Sequence, residues 1–174
     1  MDIDAQKEAI KNYYKTHTQK QILETFYKDD LKVFGEFDRS LVEKVIDNQM
    51  ELDDEHLYYC HEEEGLTEFL PIFRTFRDSL GLPWIECGDT DFPTFFVVLE
   101  HDGKQMVLSL MIGQGSSMDF CTVDGFKSWM KRIRCTYKWP EKAITVDELE
   151  KMVADRLAEI NNKIASAKDT LDKE

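Results

Sequence analysis

Apolar residues recur at helical spacing through the first fifty positions. Ile10, Tyr13, Tyr14 and His17 form one set, Ile22, Leu23, Phe26 and Tyr27 a second, and Leu41, Val42, Val45 and Ile46 a third. Asp38 or Ser40 is a candidate cap for the third helix. Each helix is short, so each needs something to pack against. Residues 51–64 break the period with dense acid. Thr67 then opens a further helical signal, with Phe69, Leu70, Phe73, Phe76 and Leu80 on one face. Pro71 suits its first turn, and Gly81 and Pro83 suit its end.

The period changes in the middle of the chain. Phe95 to Leu99 is an unbroken apolar run, and Met106 to Ile112 is a second, interrupted only by Ser109. Asp102-Gly103 lies between them, which predicts a tight β-hairpin. Both runs are apolar at successive positions, so both faces of the hairpin are expected to be covered. Gly113 to Ser117 reads as a loop, Met118 to Val123 as a third antiparallel strand, and Asp124-Gly125 as a second turn. From 126 to 139 the pattern starts helical, at Phe126, Trp129, Met130 and Ile133. It ends alternating, at Cys135, Tyr137 and Trp139, which predicts a short helix passing into an extended segment.

Thr145 followed by Glu148 is a capping-box signature. Val146, Leu149, Val153, Leu157, Ile160, Ile164, Ala167 and Leu171 then make one stripe, predicting a long amphipathic helix over about 145–172. At 1.5 Å per residue it would run about 40 Å. The fold class is therefore α+β: an N-terminal helical region, a central antiparallel sheet of three or four strands over about 94–123, and a long C-terminal helix. Residues 1–144 are expected to be one domain, with a helical part over 1–81 and a sheet part over 82–140. The helix of 145–174 either packs on this domain or joins a second copy in a homodimer.

Composition narrows the function. The 174 residues are 42% apolar and 33% charged, which suits a folded chain. A formal charge of -13 opposes general affinity for nucleic acid or anionic membranes. No apolar run reaches the length of a membrane span, and the acidic start at Met1-Asp2-Ile3-Asp4 lacks a signal-peptide stretch. A cytoplasmic protein is expected. Cys60, Cys87, Cys121 and Cys135 contain no C-x-x-C pair and read as buried thiols.

The charge is polarised along the chain. Residues 29–64 hold thirteen acids against Lys32, Arg39 and Lys44, a net charge of -10. Asp53, Asp54, Glu55, Glu62, Glu63 and Glu64 are its densest part and the candidate surface for a basic protein partner. Residues 126–142 reverse the sign to +5. There Lys127, Lys131, Arg132, Arg134 and Lys138 interleave with Trp129 and Trp139, a composition suited to gripping single-stranded nucleic acid, or, as the plainer reading, to tryptophans that anchor the core while the basic groups snorkel outward.

Other chemistry is thinly signalled. His56, Cys60 and His61 form a cluster with the residue types of a metal-dependent enzyme, but only His56 and Cys60 share a helical face. Asp91 with Asp102-Gly103-Lys104 has the letters of a metal-dependent nuclease, yet the latter triplet sits on the hairpin turn. A helix-turn-helix over 18–50 would carry Glu43 and Asp47 towards phosphate. No metal, cofactor or catalytic group is assigned. The small acidic format resembles viral anti-host proteins and dedicated secretion chaperones in size and charge, not in any motif. The expectation is a non-enzymatic interaction protein, an inhibitor or adaptor, with single-strand binding as the first alternative and a metal-dependent enzyme as the second.

Overall fold

The computed structural model describes residues 2–47, 58–59, 80–87, 94–111 and 117–171. These form two compact units: residues 1–36 with 154–174, and residues 37–153.

The first unit is helical. It contains α1 (Ile3–Thr16), α2 (Gln19–Phe26), α3 (Lys28–Gly35) and the C-terminal part of α6 (Val146–Ala165). α1 ends where the His17 ring stacks on Tyr13, with centroids 3.9 Å apart. Thr18 then starts α2 through a full capping box with Gln21. α3 was not foreseen. Tyr27 interrupts the helical run, and Asp29 and Asp30 lie in the first turn of a new helix whose one buried residue is Phe34, in its last turn. α6 is shorter than its apolar period predicts. After Ala165 the backbone of Lys168 donates to Gln19 Oε1 and accepts from the Lys20 amide, and Lys20 pairs with Asp169 at 3.3 Å. These contacts with the start of α2 draw the chain out of the helix, so Ala167 and Leu171 do not extend its stripe. The helix is 20 residues, or about 30 Å, long.

The second unit carries the sheet. Its elements are α4 (Arg39–Asp47), β1 (Tyr58–Tyr59), β2 (Ile85–Cys87), β3 (Thr94–His101), β4 (Lys104–Met111), β5 (Ser117–Thr122), α5 (Val123–Arg132), β6 (Ile144–Thr145) and α6 as far as Val153. The strand order is β1-β5-β4-β3-β2, all antiparallel, with β6 parallel to β3 on the edge that β2 also uses. The α+β architecture is as the sequence predicts.

β3 and β4 pair from Thr94↔Met111 to His101↔Lys104. Asp102 and Gly103 sit at φ +49° and +75°, the left-handed pair that a two-residue type I′ turn demands. Phe96 to Leu99 and Met106 to Ser109 are all buried, so both faces of the hairpin are covered. One face carries Phe96, Val98, Val107 and Cys121, packed with Phe126 and Met130 of α5. α4 packs against β3 and β4. Its cap is Asp38, whose carboxylate accepts from the amide and hydroxyl of Ser40.

Asp124-Gly125 is not a turn. Both residues belong to the first turn of α5, because the Thr122 hydroxyl accepts from the Gly125 amide and caps the helix. Thr145 and Glu148 exchange backbone-to-side-chain hydrogen bonds of 3.1 Å each, the predicted capping box of α6. The stripe of α6 lies within the chain: Val146, Leu149, Val153, Ile160 and Ile164 are all buried.

Two predictions follow from packing. α1 has no buried residue, and Ile3, Ile10 and Tyr14 are 67%, 56% and 59% exposed. A 14-residue helix without packing is marginal in water. Amide hydrogen exchange should therefore run through α1 orders of magnitude faster than through β3 and β4; equal protection would overturn this assignment. Burial, with Cys135 and Glu86 adding to it, pushes the Cys87 thiol up to about 11. An unfolded thiol titrates near about 8.5. The folded state thus holds this proton more tightly, and its contribution is complete below the unfolded value and lost as pH rises towards 11. Thermal melts should show a smaller decline over that range for Cys87→Ala than for the parent chain.

Candidate functional site

The basic stretch begins on α5. Lys127, Lys131 and Arg132 lie on this helix and are exposed, whereas Phe126 and Met130 are buried. The helix ends in a Schellman motif: the Cys135 amide donates to Met130 O at 3.0 Å and the Arg134 amide to Lys131 O at 3.2 Å. The residue between these closures must be left-handed, and glycine normally fills that place. Here it is Arg134, at φ +56°. A side chain there strains the backbone, so Arg134 occupies the position against local preference.

Past the turn, residues 135–140 run extended without joining a strand. Side chains hold them. Phe96 on β3 is fully buried, and around it stand Phe126 at 4.7 Å, Trp139 at 5.9 Å and Tyr137 at 6.1 Å between ring centroids. Tyr137 also meets Phe126 edge-on at 5.5 Å, and Trp129 meets it at 6.4 Å. Lys127 places its ammonium 4.6 Å from the centre of the Trp139 ring. The aromatics of this segment are thus spent on the protein's own core, and Trp139 is already engaged by Phe96 and Lys127. The sequence offers this core-anchor reading of the tryptophans but not the decisive partner, Phe96, which is about forty residues away.

The basic groups themselves face outward. Lys127, Lys131, Arg134 and Lys138 are exposed and have no carboxylate partner among the described residues. Other cations are answered. Arg39 bonds Glu43 at 2.5 Å, Glu150 at 3.3 Å and also Asp147, and these partners hold its pKa well above the usual arginine value. Lys142 meets Glu148 at 2.5 Å, which raises the lysine and lowers the carboxyl, and Lys104 meets Asp47 at 3.5 Å.

Asp53, Asp54, Glu55, Glu62, Glu63 and Glu64 lie outside the described residues, as do His56, Cys60 and His61 and the helix expected from Thr67. Among the described residues, no group of three or more His, Cys, Asp or Glu side chains converges as a metal would require. Cys87 and Cys121 are buried thiols and Cys135 is half-buried. No helix among the described residues is long and apolar enough to cross a membrane. Comparison with protein families, with curated proteins and with solved structures returned no match to this chain.

Replacing Arg134 separates backbone strain from charge. Arg134→Gly and Arg134→Ala remove the same guanidinium, but only glycine accepts φ +56° without cost. The glycine variant should be more stable by about 1 kcal/mol in denaturant unfolding. Equal stability of the two would overturn the left-handed assignment.

Proposed function

We propose that this protein is a non-enzymatic protein–protein interaction module of the inhibitor or adaptor type, engaging a basic partner surface through its acidic third. The observation that carries this reading is the charge polarity: a net -10 within residues 29–64 of a chain whose total is -13. Carboxylates in such excess attract a basic partner over a Debye length of about 8–10 Å and repel anionic competitors. A cytoplasmic setting agrees with the thiols of Cys87, Cys121 and Cys135. A homodimer through α6 would have to use the outer face of that helix, because the stripe is buried within the chain.

Single-strand binding through Lys127, Trp129, Lys131, Arg132, Arg134, Lys138 and Trp139 is the less favoured reading. Stacking on bases needs free ring faces. Trp139 has Phe96 and Lys127 on its ring, and Trp129 packs towards Phe126. A charge of -13 adds a long-range repulsion.

Charge reversal tests the choice. Asp53, Asp54, Glu55, Glu62, Glu63 and Glu64 all changed to Lys should abolish retention of a stoichiometric protein partner in nuclease-treated pull-downs, with the melting temperature unchanged. Undiminished retention of the same partner would sink the acidic-surface reading. Salt-sensitive binding of oligothymidine that falls when Trp129 and Trp139 become Ala would replace it with the nucleic-acid reading.

A further inference from the structure

β3 is paired along one edge by β4 over its whole length. Its other edge is shared. β2 covers Thr94 to Phe96, and β6 covers Leu99 and Glu100. Val97 and Val98 fall between them and have no ladder partner on that side among the described residues. A depression of about 450 Å³ opens at this gap. Its lining includes Val97 and Val98, with Pro83 and Trp84 arriving from the β2 side and Trp139 and Pro140 from the β6 side. The volume falls within the range of about 300–1,000 Å³ that ligand pockets occupy.

Two features separate it from an ordinary surface dent. Its walls are two Trp-Pro pairs, which are rigid, amphipathic side chains that lose little entropy when they are covered. Trp139 is held from behind by Phe96, Phe126 and Tyr137, and Pro83 is braced by a tight turn in which the Trp84 amide donates to Leu82 O at 2.7 Å. The second feature is charge. One wall is made by residues 138–142, the end of the +5 stretch, where Lys138, Glu141 and Lys142 line the depression and Lys142 is paired with Glu148. Lys138 lines the depression, Lys127 stands over Trp139, and neither has a carboxylate partner among the described residues.

We propose that this depression is a docking site for a short acidic segment of a partner protein, with an apolar residue of that segment seated over Val97 and Val98, between the Pro83-Trp84 and Trp139-Pro140 walls. Aromatic and proline walls suit an extended, proline-containing backbone. Lys127 and Lys138 meet carboxylates on either side of the apolar anchor. This site uses none of the residues of the acidic third and takes a partner of opposite charge, so it stands independently of the function proposed above.

The probe is a fluorescent heptapeptide, Glu-Glu-Pro-Leu-Pro-Glu-Glu, titrated into the full chain at low salt. Binding should weaken at least fivefold when Lys127 and Lys138 are both changed to Gln, surface substitutions that leave the core intact. It should weaken at least tenfold when Gly replaces the central Leu of the peptide. In a ¹⁵N spectrum the indole signals of Trp84 and Trp139 should move on addition of peptide, and that of Trp129 should not. Three results would overturn the proposal: unmoved Trp84 and Trp139 indoles at millimolar peptide, equal binding of a peptide with Lys for each Glu, or preferential binding of oligothymidine at the same face.

Discussion

The second unit depends on one buried ring. Phe96 is the third residue of β3, opposite Ser109 of β4, and is fully shielded from water. It gathers Phe126 from α5 with Tyr137 and Trp139 from the segment beyond. Aromatic pairs of this kind add about 0.5–1.5 kcal/mol each beyond the area they bury. That matters most for residues 135–140, which have no strand ladder to hold them. Small thiols complete the packing: Cys87 and Cys121 occupy the same cluster, where a larger side chain would force the rings apart.

Charge is managed differently in different parts of this unit. Around Arg39, carboxylates from α4 and α6 converge on one partly exposed guanidinium and tie the two helices together. A bidentate-capable cation suits that task better than a lysine would. On α5 the arrangement is the reverse. Lys127 and Lys131 are exposed and face no carboxylate among the described residues. The last-turn placement of Lys131 and Arg132 complements the helix dipole, worth about 0.3–1 kcal/mol each at the surface. The dipole accounts for cations in the last turn. It does not account for Lys127 in the first half of the helix, for Lys138 six residues after its end, or for an arginine at a left-handed position where glycine would be less strained.

How much of this was legible in the sequence depended on the range of the interaction responsible. The β3–β4 hairpin was legible because Asp102-Gly103 and its flanking apolar runs are local signals. The capping box at Thr145 and Glu148 was legible for the same reason. Asp124-Gly125 misled, because the same dipeptide serves a hairpin turn or a helix start, and the Thr122 hydroxyl decides between them. Helix α6 stops at Ala165 although its apolar period runs on, because Gln19 and Lys20, far away in sequence, take the backbone of Lys168. α3 escaped notice because its single buried residue, Phe34, leaves no stripe to count. For the candidate site, the basic residues were legible as letters and a core role for the tryptophans was legible as one of two readings, but the ring that decides between them was not. Whether a tryptophan offers its face to a ligand or to the core is set by which ring lies behind it, and that ring comes from another strand.

The Schellman turn links these observations. It ends α5 and reverses the chain, so that the exposed cations of the helix are followed at once by a segment whose rings return to the sheet. Without the reversal, Trp139 could not reach Phe96, and Lys127 would not lie over Trp139. The turn needs one left-handed residue, and glycine would satisfy it most easily. An arginine held there, beside lysines that lack carboxylate partners among the described residues, concentrates positive charge where the backbone folds back onto the edge of β3. Local strain at Arg134 and the unpaired stretch of β3 at Val97 and Val98 are thus two departures from ideal structure in the same unit, and residues 135–144 connect them. Departures of this kind survive in folded proteins when the surrounding packing over-determines them. Here the ring cluster supplies that packing, and what the departures leave exposed is a rigid, apolar depression beside a cationic rim.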